Sequence, residues 1–276
     1  RRADYALYVV KQQGRNGYLF FDCEMEKVLL ERLSLEQDLR KAIENEEFYI
    51  DYQPKFHLVS GEIIGMEALV RWNHPELGRV SPGKFIPIAE ETGLIIPIGE
   101  WVLKKSCEQV VKWQKETNIP LKLAVNLSAS QFYQHNLVDV IKNTLNETTL
   151  KPQLLELEIT ESVFTNLERS ISIMREIRQL GVRTSIDDFG TGYSSLSYIK
   201  ELPIDTLKID ASFIQDIHLN KESQAIVRAI MSIANTLMKV LIEDGCFKGQ
   251  GFLFSKPLSA SSFEHLLKKK RNVFSE

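Results

Sequence analysis

Hydrophobic and polar positions follow two periods along most of the chain. From Phe48 onward, short apolar runs typical of strands are separated by longer segments with apolar residues every three or four positions. The predicted strands are Tyr49–Lys55, Ile63–Trp72, Leu121–Leu127, Leu154–Thr160, Arg183–Phe189, Thr206–Ile209, Lys239–Glu243 and Gln250–Phe254. Amphipathic helices are predicted over Ile98–Thr117 and Glu222–Met238. This alternation favours an α/β fold of the TIM-like (β/α)8 barrel type, with a doubly wound open sheet as the alternative.

The first part of the chain differs in character. Ala3–Gln12 predicts a short helix, residues 14–17 a turn and Tyr18–Phe21 a short strand, which are too few elements to bury a core. A charged helix follows over Glu24–Asn45. We therefore predict three regions, namely residues 1–22, a linker helix at 23–46 and the barrel at 47–276.

One connection is too short for this fold. Only six residues separate the predicted strands that end at Glu243 and begin at Gln250, whereas a parallel crossover needs about a dozen or more. A disordered stretch omitted from the sequence, a real deletion and wrong strand assignments would each explain it. The first is the favoured explanation.

Composition and charge disfavour several classes of protein. The chain has 276 residues, a net charge of −3 and three cysteines without a CxxC pair. A general nucleic-acid binder usually has a basic excess, so duplex DNA or RNA is not an expected partner. The cysteine pattern disfavours disulfides and a zinc site, and it favours a reducing cytoplasm. The sequence shows neither a signal peptide nor a membrane span, while an upstream membrane anchor in a longer protein remains open.

Polar residues gather where the predicted strands end, which is where barrels of this type carry function. They are Glu67, Asn126, Glu158, Asp187, Asp188, Lys208, Glu243 and Gln250. Strand side chains alternate between faces, so Glu156 and Glu158 should face the interior while Leu155, Leu157 and Ile159 face the helices.

Any one of these residues could be a rim salt bridge or a helix cap. Together, however, carboxylates at adjacent strand ends repel one another unless cations lie between them. The set offers only oxygen ligands, which favours Mg²⁺ or Mn²⁺ over zinc. A site for two such ions suits phosphoryl chemistry.

Several short segments of the sequence resemble those of a known family. The segments that carry the resemblance are Tyr52-Gln53-Pro54, EALVRW (67–72), Asn126-Leu127-Ser128, ELEITES (156–162), DDFGTGYSSL (187–196), Leu207-Lys208-Ile209-Asp210 and Gln250-Gly251-Phe252. The set is similar to that of EAL domains and covers roughly residues 33–270. The resemblance implies a barrel that cuts cyclic di-GMP to linear pGpG with Mg²⁺ or Mn²⁺, two ions in all.

The resemblance also implies roles for individual residues. Glu67, Asn126, Glu158 and Asp187 correspond to ligands of the first metal, and Asp188 to the residue for the second metal and the bridging water. Lys208 corresponds to the lysine that positions the attacking water, and Glu243 to a general base or metal-linked carboxylate. Gln53, Arg71 and Gln250 correspond to substrate-binding or supporting polar residues, and Glu161 to the residue that braces the 187–196 loop.

Residues 1–22 resemble the C-terminal end of a GGDEF domain. The resemblance therefore implies a fragment of a GGDEF–EAL tandem, with the GGDEF domain as a neighbour and a homodimer as the expected assembly. A catalytically inactive cyclic di-GMP receptor and a protein-interaction module are the alternative functions.

Overall fold

The computed structural model describes residues 7, 10, 17–57, 60–190, 201–215, 220–227, 248–251 and 254–269. The described chain divides into two compact units. The smaller comprises residues 1–49 and 71–95, and the larger comprises residues 50–70 and 96–276. Several predicted elements lie wholly or largely outside the described residues. They are the helix Ala3–Gln12 except for residues 7 and 10, residues 228–238 of the helix Glu222–Met238, the strand Lys239–Glu243 with Glu243 itself, and most of the short connection after it.

The smaller unit is built from two helices and a hairpin. Helix α1 spans Cys23–Ala42 and is capped by Asp22, whose side chain accepts a hydrogen bond from the amide of Met25 at 2.8 Å. Helix α2 spans Pro82–Thr92, and strand β3, Gly78–Val80, pairs antiparallel with the end of strand β2, Ile63–His74.

An aromatic cluster forms the core of this unit. Trp72, Phe85 and Phe48 are buried, with the rings of Trp72 and Phe85 5.7 Å apart. Leu39 and Ala42 on α1 are fully buried, and α1 packs against α2. The second half of the helix predicted as a linker is therefore a packed element of the smaller unit.

The prediction of a strand over Tyr18–Phe21 is wrong, because these residues form no strand. The rings of Tyr18 and Phe20 are more than 80% exposed, at 84% and 82%. The run of four apolar residues at 18–21 therefore does not pair with any strand that the structure describes.

A parallel sheet organises the larger unit. Its strands β4, Lys122–Leu127, β5, Leu155–Thr160, β6, Arg183–Phe189, and β7, Thr206–Ile209, pair in sequence order. Residues 65–68 of β2 pair parallel with residues 122–125 of β4. At Gly65 the strands approach so closely that a Cβ would lie 2.9 Å from the Cβ of Lys122, which excludes larger residues.

One strand departs from the expected barrel. Strand β1, Phe48–His57, runs antiparallel to β8, Lys248–Gly249, and to β9, Leu258–Ser259. Only residues 58–62 join β1 to β2, and so short a connection cannot make a parallel crossover. Strand β8 ends at Gly249, so the predicted strand Gln250–Phe254 is wrong at its described residues Gln250, Gly251 and Phe254, which form no strand.

Helices follow most of these strands. They are α3 (Ile95–Thr117), α4 (Ala129–Phe132), α5 (Leu137–Thr148), α6 (Leu167–Gln179), α7 (Ser212–Gln215) and α8 (Ala260–Lys268), with 3-10 turns over Pro152–Leu154 and Glu161–Thr165. Residues 221–227 are also helical. The ring of Trp113 on α3 packs 4.8 Å from Tyr52 and 5.0 Å from Phe263. Among the described residues, no helix combines the length and apolar character needed to cross a membrane.

Candidate metal centre and active site

Three carboxylates converge at the ends of three strands of the larger unit. Glu67 on β2, Glu158 on β5 and Asp187 on β6 each offer an oxygen within 4.8 Å of the other two. Glu67 and Glu158 are buried, and Asp187 is half-buried. The register explains the convergence, because Glu158 lies opposite Asn126 of β4, and Asp187 lies opposite Thr160 of β5.

Lys208 on β7 brings a positive charge to this cluster. Its Nζ donates to Asp187 Oδ2 at 2.9 Å, to Glu67 Oε2 at 3.4 Å and to Glu158 Oε2. The three carboxylates raise the pKa of Lys208 although burial opposes this. Lys208 therefore stays charged at the point where the three acidic side chains meet.

Two amides fix Glu67. Asn126 Nδ2 donates to Glu67 Oε1 at 2.6 Å, and Gln250 Nε2 donates to Glu67 Oε2 at 2.5 Å. Gln250 Nε2 also donates to Gln53 Oε1 at 3.0 Å. These contacts together with Lys208 lower the pKa of Glu67 although burial acts in the opposite direction. The buried carbonyl oxygen Oε1 of Gln250 has no hydrogen-bond partner among the described residues.

A second lysine, which was not among the predicted site residues, also belongs to the cluster. Lys55 on β1 donates from Nζ to Glu158 Oε1 at 2.6 Å and to Glu156 Oε1 at 3.4 Å. Strand alternation contains the signal that would have identified it, because Lys55 lies two residues after Gln53 and so shares its face. Glu156 and Glu158 both face inward, as predicted.

The cluster retains an excess of negative charge. The four carboxylates of Glu67, Glu156, Glu158 and Asp187 face the two ammonium groups of Lys55 and Lys208. Burial, together with Glu67 and Asp187, raises the pKa of Glu158 in spite of both lysines. Compensation of Glu158 is thus incomplete, and a further cation would stabilise its ionised form.

Asp188 adjoins this cluster in an unusual backbone conformation. Its φ is +52°, in the left-handed region, and its amide donates to Asp187 Oδ1 at 2.9 Å. Burial and the neighbouring Asp187 raise the pKa of the Asp188 carboxyl. Left-handed residues other than glycine are uncommon and cluster at functional sites.

Glu161 contacts the start of the glycine-containing loop. Its Oε1 accepts a hydrogen bond from the amide of Gly190 at 2.9 Å, and its buried Oε2 has no hydrogen-bond partner within the part of the chain that the structure describes. Gly190 has a φ of +101°, which favours glycine. Residues 191–196 of this loop lie outside the described part of the chain.

Most of the predicted site residues therefore lie together in the larger unit. Arg71 belongs to the smaller unit, where it is half-buried on β2, four residues after Glu67. Glu243 falls outside the described residues, so its predicted role stays a prediction.

The side chains present fit a hard divalent cation. Glu67, Glu158 and Asp187 supply only carboxylate oxygens, and the Asn126 side chain lies beside them. Mg²⁺ and Mn²⁺ prefer such donors. The excess of negative charge in the cluster also favours the binding of a cation.

Comparison with known proteins agrees with this geometry. Residues 36–257 match the family model described as the EAL domain. The chain is 44% identical over 273 residues to the bifunctional diguanylate cyclase/cyclic di-GMP phosphodiesterase MucR of Pseudomonas aeruginosa, covering 94% of this chain and 40% of MucR. It is 41% identical to the cyclic di-GMP phosphodiesterase PdeR of Escherichia coli, covering 98% of this chain and 43% of PdeR. The chain thus spans about two fifths of the length of these relatives.

A solved structure is also similar. The PaMucR phosphodiesterase in complex with c-di-GMP is 42% identical, with a TM-score of 0.78, and the match covers 83% of this chain and 99% of that one. The likeness agrees with the TIM-like α/β barrel predicted from the sequence.

Proposed function

Since this chain belongs to the EAL domain family, we propose that it hydrolyses cyclic di-GMP to linear pGpG with the help of Mg²⁺ or Mn²⁺. The observation that carries the proposal is the convergence of Glu67, Glu158 and Asp187. The names of the relatives MucR and PdeR, which include cyclic di-GMP phosphodiesterase, support the substrate.

The proposed metal ligands are the oxygen donors of the cluster. Glu67, Asn126, Glu158 and Asp187 would hold one ion, and Asp188 would contribute to a second. Bound ions of this kind stabilise negative charge on both the attacking and the leaving oxygen of a phosphodiester.

The remaining side chains would bind and orient the reactants. Hydrolysis adds the oxygen of water to phosphorus and breaks the bond from phosphorus to the 3′ oxygen, which takes up a proton. Lys208 and Asp188 would orient the water, and Glu243 would accept its proton. Gln53, Arg71 and Gln250 would contact the substrate. The buried Gln250 Oε1, which has no partner among the residues described, would serve as an acceptor.

The contact between Glu161 and Gly190 supports a bracing role for Glu161 at the start of the 187–196 loop. The homodimer and the neighbouring GGDEF domain are proposed from the sequence resemblance.

The direct test is to incubate the purified chain with cyclic di-GMP and Mg²⁺ or Mn²⁺, and to separate the products by chromatography. We expect pGpG as the product, loss of the reaction with a chelator and recovery when excess metal is added. Product formation that is insensitive to the chelator would contradict the metal-dependent mechanism. Tight binding of cyclic di-GMP without cleavage would favour the receptor alternative.

A further inference from the structure

Lys55 is a charged interior side chain to which the proposed mechanism assigns no role. It extends from β1 towards β5, and only 16% of its side chain is exposed. Its Nζ lies 2.6 Å from Glu158 Oε1 and 3.4 Å from Glu156 Oε1. The shorter of these contacts is a charge-assisted hydrogen bond to a proposed metal ligand.

The two oxygens of Glu158 have different partners. Oε1 accepts from Lys55, whereas Oε2 accepts from Lys208, whose Nζ also contacts Glu67 and Asp187. Oε2 is therefore the oxygen that lies in the cluster of converging carboxylates. The terminal torsion of a glutamate has a broad energy profile, so contacts made by the carboxylate decide which oxygen faces which side.

Lys55 is itself held in place. Glu156, two residues before Glu158 on the same face of β5, accepts from Lys55 through Oε1, and its Oε2 lies 3.5 Å from Thr206 Oγ1. The contacts with Glu156 thus help to fix the position of the lysine that contacts Glu158 Oε1.

We propose that Lys55 is a positioning residue, which holds Glu158 through Oε1 so that Oε2 is presented to a divalent cation. This inference rests on the metal-binding function proposed above and deepens it. Groups that orient metal ligands commonly contribute about 10-fold to 100-fold to metal affinity.

Electrostatics alone predicts the opposite change in cation affinity when Lys55 is removed. Lys55 carries a positive charge close to the cluster, so its removal would make the site more negative and cation binding tighter. If Lys55 acts by positioning Glu158, its removal weakens cation binding in spite of the gain in negative charge. The direction of the change in affinity therefore separates the two explanations.

The experiment measures Mn²⁺ binding by electron paramagnetic resonance or calorimetry, without substrate. We expect Lys55→Met to raise the Kd for Mn²⁺ by about 10-fold or more. If the single variant does not fold, the double variant K55M/E156Q tests the positioning role instead, because it removes one positive and one negative charge together. It leaves no unpaired Glu156 carboxylate, and we expect it to show the same loss. Thermal unfolding confirms that each variant is folded at the temperature used.

A matched control is Lys122→Met, which removes another half-buried lysine, at the first position of β4, and should not weaken Mn²⁺ binding. An unchanged or lower Kd in folded Lys55→Met or K55M/E156Q would overturn the positioning role while leaving the proposed function intact. Failure of the unaltered chain to bind Mn²⁺ would instead overturn the proposed function and this inference with it.

Discussion

At the scale of the residue, Glu158 is the most deeply buried of the three converging carboxylates. Its relative exposure is 1%, and it has a lysine on each carboxylate oxygen. Removal of one partner of a buried ion pair costs about 3–5 kcal/mol, because the other charge is left uncompensated. Such an arrangement is a poor choice for stability alone, so we attribute it to the requirement for a negatively charged cation site.

Cys107 is a buried cysteine that is not among the proposed site residues. It is a free cysteine on α3 with no exposed surface, and burial, with a smaller contribution from Glu108, raises its pKa to about 12. The thiolate is the reactive form, and at pH 8 it would be only about one part in 10⁴ of the population. We predict that Cys107 does not react with a thiol reagent in the folded chain.

A Cys23→Ser/Cys246→Ser variant isolates this thiol for measurement. Its colour reaction with a disulfide reagent should proceed only after denaturant is added. Labelling of the native variant at a rate close to that of the unfolded chain would show that α3 opens or that Cys107 is accessible.

At the scale of the element, α3 and α4 meet at a capping box that follows strand β4. Ser128 caps α4 by accepting from the amide of Gln131 at 3.3 Å, and Gln131 Oε1 accepts from Ser128 Oγ at 3.0 Å. The Gln131 amide group lies so close to Gly99 of α3 that an added Cβ would overlap with it, 2.6 Å from Cδ. Gly99 therefore permits the capping box two residues after Asn126.

We predict that Gly99→Ala destabilises the chain by about 1–2 kcal/mol, because it displaces the Gln131 side chain and disrupts the cap. In a Gln131→Ala background the same substitution should be neutral or stabilising by up to about 1 kcal/mol, since alanine is the better helix former. Denaturant unfolding of the four proteins measures the coupling. Equal effects of Gly99→Ala in both backgrounds would show that Gln131 is not the residue that requires glycine.

Apolar periodicity predicts some of the strands well and others poorly. The parallel strands β4, β5 and β6 are predicted almost to the residue, because their buried apolar runs are flanked by turns and helices. Strand direction is not encoded in apolar periodicity, so only the short connection at residues 58–62 could have revealed that β1 is antiparallel. The short strand β3 has too few residues for a period to be recognised.

At the scale of the whole molecule, the register between parallel strands brings the site residues together. The polar strand ends in the sequence were sufficient to predict Glu67, Asn126, Glu158, Asp187 and Lys208 as neighbours, which they are. Lys55 was not predicted, although it is the last residue of the predicted strand Tyr49–Lys55 and shares a face with Gln53. Which carboxylate oxygen contacts which lysine depends on tertiary packing, and residue types alone do not specify it.

The most direct test of the account is the turnover of cyclic di-GMP by Glu67→Gln, measured with saturating Mg²⁺ or Mn²⁺. This substitution keeps the size of the side chain and removes the charge on the carboxylate that Asn126, Gln250 and Lys208 all contact. The matched control is Glu147→Gln, which neutralises an exposed glutamate paired with Lys104. We predict that Glu67→Gln loses at least about 100-fold in rate while Glu147→Gln keeps the rate of the unaltered chain. A folded Glu67→Gln protein with an unchanged metal-dependent rate would contradict the assignment of this cluster as the catalytic metal site.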